Sequence, residues 1–180
     1  MTGAGAAGHG DAVVKRLVLL RHAKSSWSDP GPADHDRPLN GRGRRAAPVV
    51  GRHLRDAGLV PDLVLCSSAV RARATLDRLG LPDDIVVRVE DDLYGADPDE
   101  IVELLRAVPD AVGSVLVVAH NPGLEELTEL LVADERSLPD RFPTAALAEL
   151  RLPIARWDDV APGGATLASF VTPRELDDAR

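Results

Sequence analysis

Aromatic residues make up only 3% of this 180-residue chain: two Phe, two Trp and one Tyr. A core must therefore be packed from Val, Leu, Ile and Ala. A single cysteine, Cys66, excludes an intrachain disulfide framework and a Cys-based zinc site, and fits a reducing compartment. No apolar stretch is long enough to span a bilayer. Positive charge is in deficit, with 21 Lys and Arg against 29 Asp and Glu, for a net charge of −8. That balance argues against nonspecific binding to nucleic acid or acidic membranes, and neither is expected as a partner. The opening MTGAGAAGHGDAVV lacks the basic and apolar regions of a secretory signal. Residues 1–14 read as a flexible tail, His9 within it as inert, and the cytoplasm as the expected address.

What is present is a series of short apolar runs. RLVLL (16–20) is continuous rather than alternating, as a strand buried on both faces requires. The Pro-, Gly-, Asp- and Ser-rich SSWSDPGPADHDRPLNGRG that follows is a loop. Residues 44–56 read as a helix with Val49, Val50 and Leu54 in an apolar stripe. Pro48 belongs in its first turn or at a kink, and Gly58 closes it. PDLVLCSS, DIVVRV and GSVLVVAH are the next strands, separated by the helices AVRARATLDRL and DPDEIVELLRAV; NPGLEELTELLV is a further helix. ALAELRL and ATLASFV have no convincing helix between them and are expected to pair antiparallel at an edge. The alternation predicts an α/β fold, a three-layer α/β/α sandwich with a mostly parallel central sheet. One domain over residues 15–173 is expected, with a frayed tail over 174–180.

In open α/β sheets ligands sit beyond the carboxyl ends of the strands. There this sequence places Arg21-His22, then Cys66-Ser67-Ser68 with Arg71 one turn into the next helix, then Glu90-Asp91-Asp92, then His120-Asn121. Two guanidinium forks and a protonated imidazole match the oxygens of a transferring phosphoryl group. Helix N-termini after the second and fourth strands add partial positive charge, and a neutral imidazole could attack phosphorus in line. Such a cage could work without a metal ion. Other phosphatase chemistries fit poorly. A cysteine phosphatase loop needs Cys, five residues, then Arg, and from Cys66 that position is Ala72, between Arg71 and Arg73. The Asp-x-Asp triplet near the start, Asp34-His35-Asp36, lies inside the loop instead of directly after a strand. With His53 it matches no standard metal spacing, so a solvated loop and a helix-surface histidine are expected. Arg73 and Arg78 read as helix surface and Cys66 as a small buried residue. NGRGRR reads as a capped, solvated helix start, which could also steer an acidic partner toward the rim.

LLRHAKSSW, DHDRPLNGRGRRAA, DLVLCSSAVRARAT, LYGA and VVAHNPGL, in this order, resemble the histidine phosphatase superfamily, and more narrowly the small SixA-type phosphohistidine phosphatases. The resemblance runs from Lys15 to about Val171 and implies a phosphoglycerate mutase-like fold. It implies that His22 is the nucleophile, that Arg21, Arg71 and His120 form the phosphate pocket, and that backbone donors near Asn121 and side chains around Ser28 add contacts. It also places a general acid among Glu90, Asp91 and Asp92, where counting back from LYG favours Asp91. There is little room for a cap over the site. The implied function is a metal-independent, cofactor-free phosphatase acting through a phosphohistidine intermediate on phosphohistidine in a signalling or phosphotransfer protein. The alternatives are a phosphatase for small phosphate esters such as sugar phosphates or nucleotides, and a phosphate-binding module without turnover.

Overall fold

The apolar run after Lys15 forms the spine of the computed structural model, which describes residues 13–28, 31 and 33–178. In β1 (Lys15–Arg21), Leu17, Val18, Leu19 and Leu20 are all fully buried, because both faces of the strand are covered. The chain continues through α1 (Gly41–Asp56), β2 (Leu63–Ser67), α2 (Val70–Leu79), β3 (Val86–Glu90), α3 (Pro98–Arg106), β4 (Ser114–Ala119), α4 (Gly123–Leu131), β5 (Leu147–Leu152), β6 (Thr166–Val171) and α5 (Pro173–Asp178). The sheet order is β3-β2-β4-β1-β5-β6. β1, β2, β3 and β4 run parallel, β5 is antiparallel to β1, and β6 is antiparallel to β5.

Alternate residues of the central strands feed two cores. Leu17, Leu19, Val115 and Val117 share one with Ile101 and Leu105 of α3, Leu124 and Leu127 of α4, and Trp157. Val18, Leu20, Leu116 and Val118 share the other with Val50 and Leu54 of α1 and Leu79 of α2. These are the three expected layers. Trp157, one of the few aromatics, is fully buried and its Nε1–H donates to the Val112 carbonyl at 2.8 Å. Among the described residues, no helix is long and apolar enough to cross a membrane.

Four local features differ from the sequence expectation. Helix α1 begins at Gly41 because the Asn40 side chain accepts from the Gly43 N–H at 2.9 Å and caps it. Pro48 therefore lies inside the helix, on its exposed side. Strand β3 forms one edge of the sheet, and its Val86, Val87 and Val89 are exposed. The expected frayed tail is helical as far as Asp178. Thr172 and Glu175 cap it reciprocally, and Leu176 packs against the α1 side of the core. Residues 1–12 of the expected N-terminal tail and residues 179–180 lie outside the described residues.

Candidate active site

Neighbouring strands β1 and β4 are parallel, yet the chain leaves β1 for α1 on one face and leaves β4 for α4 on the other. Connections that diverge this way open a crevice at the carboxyl ends of the two strands. His22 stands at one lip and His120 at the other, with ring centroids 5.1 Å apart. The His22 N–H donates to the Ala119 carbonyl at 3.0 Å, fixing the two strand ends against each other. Ser67 and Arg71 approach from the end of β2 and the start of α2.

His22 is buried, and its Nδ1 lies 2.8 Å from the Ala23 carbonyl oxygen. A carbonyl only accepts, so Nδ1 carries the proton and Nε2 is left with a lone pair. Arg71 Nε–H donates to that Nε2 at 3.3 Å. The His22 pKa falls to about 4, chiefly through burial; the Ala23 carbonyl opposes this, while Arg71, Arg21 and Arg37 push it lower. Burial outweighs the neighbouring arginines in keeping His22 neutral.

His120 Nε2 pairs with Ser67 Oγ at 2.7 Å, while its Nδ1 is buried with no partner among the described residues. Burial, His22 and Arg71 lower its pKa to about 3 against the opposing charge of Asp34. Arg21 Nη1–H donates to the Phe142 carbonyl at 2.8 Å, and its Nε is likewise buried and unpartnered. Burial also lowers the Arg21 pKa, opposed by Glu125 and reinforced by Arg71. The structure thus brings Arg21, His22, Arg71 and His120 to one crevice.

Asp34 supplies the carboxylate of this cluster. It lies in a 3-10 turn (Asp34–Asp36) and accepts from Arg71 Nη2 at 3.2 Å, Arg37 Nε at 2.9 Å and the Tyr94 hydroxyl at 2.7 Å. Its backbone carbonyl accepts from Arg71 Nη1 at 2.7 Å. The Tyr94 hydroxyl holds the Asp34 pKa down to about 2 against the opposing effect of burial, with Arg37 and Arg71 adding to it. His35 is not a bare loop histidine either: Nε2 pairs with Ser68 Oγ at 3.1 Å, and its ring meets Tyr94 edge-on. Sequence reasoning treated this triplet as solvated and used Tyr94 only to count from. The available signal was DHDR itself, quoted for the resemblance but given no role.

Asp91 and Ser28 stand apart from these residues. Asp91 is exposed, and among the described residues its carboxylate makes no hydrogen bond or ion pair with the crevice. The turn Asp91–Leu93 buries Leu93 and brings the exposed Tyr94 to Asp34 and His35 instead, and the Asp91 carbonyl accepts from the Tyr94 N–H. Ser28 is exposed and pairs with Ser26 Oγ at 2.8 Å, not with the crevice residues. The Asn121 side-chain amide donates to Glu125 at 2.7 Å and to the Phe142 carbonyl at 3.0 Å, whereas the contact expected there is from the backbone. Cys66 is fully buried, and burial pushes its thiol up to about 12, as suits a packing residue. Among the described residues, no group of three or more His, Cys, Asp or Glu side chains is placed to hold a metal ion.

The model of the histidine phosphatase superfamily (branch 1) matches residues 17–101, a span that holds Arg21, His22, Asp34, Arg71 and Tyr94. An uncharacterized protein of Mycobacterium tuberculosis, Rv1276c, is 42% identical over 162 residues, spanning 86% of this chain and all of that protein. The chain belongs to the histidine phosphatase superfamily. Among solved structures, a candidate phosphohistidine phosphatase SixA from Nakamurella multipartitia superposes with a TM-score of 0.80 at 35% identity, covering 89% of this chain and 96% of that one. The protein histidine phosphatase SixA complexed with tungstate superposes with a TM-score of 0.74 at 25% identity, covering 89% and 99%. This histidine phosphatase is therefore of the SixA type and carries the phosphoglycerate mutase-like fold. His120 lies beyond the span of the family model, so its place opposite His22 rests on the folded geometry.

Proposed function

We propose that this phosphatase acts on phosphohistidine carried by a protein, with His22 as the nucleophile. The observation that carries the reading is the state of His22: neutral, its proton pinned to Nδ1 by the Ala23 carbonyl, its Nε2 lone pair directed at Arg71. Arg21 Nε and His120 Nδ1 support it as buried polar atoms in the same crevice that have no partner among the described residues and that a phosphoryl oxygen would satisfy. Ala69 N–H donates to Ser67 Oγ, which frees the Ser67 hydroxyl to donate to His120 Nε2 and leaves the His120 proton on Nδ1.

In the first step Nε2 of His22 attacks phosphorus and the bond from phosphorus to the substrate imidazole breaks. The leaving imidazole keeps the electron pair and takes up a proton. Arg21 and Arg71 neutralise the equatorial oxygens, and neutral His120 donates its Nδ1–H to one of them. An arriving phosphoryl group takes over the Arg71 Nε–H, which uncovers the His22 lone pair. Water then attacks phospho-His22, releasing inorganic phosphate and restoring neutral imidazole. A phosphoramidate nitrogen is more readily protonated than an ester oxygen, so the first step asks little of a dedicated acid. Asp34, with its pKa near 2, is ionised at neutral pH and serves as an anchor for Arg71 in place of a proton donor. Only residues 91–97 separate β3 from α3, which leaves the crevice without an inserted cap and suits a bulky protein substrate.

The test is a substrate panel run on wild type and His22→Ala. A histidine-phosphorylated peptide should turn over at least tenfold better in kcat/KM than sugar phosphates or nucleoside monophosphates. His22→Ala should lose turnover while keeping its fold. Better turnover of the metabolite esters would overturn the substrate assignment, and full activity of His22→Ala would remove His22 from the mechanism.

A further inference from the structure

Directly behind the Arg21-His22 dipeptide lies a second feature that phosphoryl transfer does not use. The Ala145 N–H donates to the carbonyls of Arg21 and His22, at 3.0 and 3.1 Å. On the other side of that contact a cleft of about 380 Å³ opens, lined by Lys24, Arg42, Arg141 and Arg174. Among the described residues, no carboxylate lines it. Lys24, Arg42 and Arg141 are exposed, and among the described residues their side chains form no hydrogen bond or ion pair. Arg174 has only a long contact, 3.9 Å, to Asp178. Asp177 and Asp178 line an adjoining depression on the α5 side, so the uncompensated charge is concentrated toward Lys24 and Arg141.

We propose that this cleft docks a carboxylate-rich segment of the phosphorylated protein. The inference rests on the protein-substrate reading above and adds where the partner is held and by what chemistry. Three arguments support it. The chain carries a net charge of −8, so an acidic partner is repelled by most of its surface. Four converging cations with no lining acid give that partner one favourable approach. The floor is apolar, formed by Ala46, Pro143 and Pro173, and suits the side-chain stems of an amphipathic segment. Placement completes the case. Lys24 follows His22 by two residues, so their Cα atoms lie within about 7 Å. On a helical partner, carboxylates four to eight residues from the phosphohistidine sit roughly 6–12 Å along the axis, which matches that offset. The arginine-rich start of α1 thereby gains a role, since Arg42 belongs to the cleft.

The experiment compares two phosphohistidine peptides that are identical except for Glu or Gln at positions four, seven and eight after the phosphohistidine. The protein is either wild type or the triple variant Arg42→Glu, Arg141→Glu, Arg174→Glu, with p-nitrophenyl phosphate as a substrate too small to reach the cleft. The Glu peptide should show a KM at least tenfold lower than the Gln peptide on wild type. The triple variant or 0.5 M NaCl should abolish that difference, while the variant keeps kcat and its rate on p-nitrophenyl phosphate. Equal KM values on wild type, or an advantage that survives charge reversal, would overturn docking. If neither peptide is dephosphorylated while p-nitrophenyl phosphate is, the phosphohistidine reading fails. Docking is then judged on binding of the fluorescein-labelled, unphosphorylated peptides. Tighter anisotropy-detected binding of the Glu peptide, lost in the variant, upholds it, and no difference overturns it. A labelled oligothymidylate that binds this cleft more tightly than the Glu peptide would also overturn it.

Discussion

The backbone N–H of Ala23 donates to Thr75 Oγ1 at 2.9 Å. The same hydroxyl donates to the Arg71 carbonyl at 2.7 Å, so one fully buried side chain couples the backbone beside His22 to the helix that carries Arg71. Thr75→Val keeps the shape and removes the hydroxyl, stranding a buried N–H. The expected cost is about 1–3 kcal/mol in urea denaturation. A fall in kcat/KM should exceed what partial unfolding explains, because the spacing between His22 and Arg71 is loosened. Unchanged stability would show that Ala23 finds another partner.

Two buried neutral histidines give the fold a pH signature. His22 titrates near 4 and His120 near 3 in the folded chain, against an ordinary 6.5. Between those values the unfolded chain binds more protons than the folded one, so stability rises with pH across this window. It should fall as pH drops from about 6.5 toward 4, and level off for His22 below its folded pKa. His120→Asn should flatten the dependence in equilibrium denaturation run from pH 4 to 8. A slope identical to wild type would remove His120 as a contributor.

Asp34 and Asp91 separate cleanly as variants. Asp34→Asn removes the charge that Arg71, Arg37 and Tyr94 all address, and charge-assisted hydrogen bonds of this type carry about 1.5–3 kcal/mol. A loss in kcat/KM of roughly 10-fold or more is expected from that range. Asp91→Asn should stay within about twofold of wild type, because its exposed side chain touches none of the crevice groups. The reverse ranking would restore Asp91 as the acid.

Gly51 marks the closest approach of α1 to α2. A Cβ there would collide with the Leu79 backbone carbonyl, which cannot swing away as a side-chain tip would. Gly51→Ala should therefore destabilise despite the better helix propensity of alanine, by about 1–3 kcal/mol for overpacking. A stabilised variant in thermal denaturation would mean that the two helices slide apart freely.

The parts of the molecule legible from sequence were those written in local pattern. Continuous apolar runs announced β1, β2 and β4, and their carboxyl ends announced Arg21, His22, Arg71 and His120. The anchoring carboxylate was not legible in that way. Asp34 meets Arg71 across 37 residues and Tyr94 across 60, through a loop whose path no periodicity encodes. Asp91 was favoured because it stands beside a strand end in the chain, but a 3-10 turn there brings Tyr94 to Asp34 and leaves the aspartate in solvent. Helix α5 was overlooked although Thr172, Pro173 and Glu175 spell a capped start, because the acidic residues after them read as a tail.

Ala145, held at a positive φ of 59°, grips both carbonyls of the Arg21-His22 pair from a point more than a hundred residues downstream. His22 is therefore synthesised more than a hundred residues ahead of the backbone that sets its position. A fragment ending before β5 would carry most of the reactive groups and lack the backbone that aims them. Catalytic competence should arrive late in synthesis and all at once, and nicking the chain between residues 131 and 145 should silence a site that contains none of the severed residues.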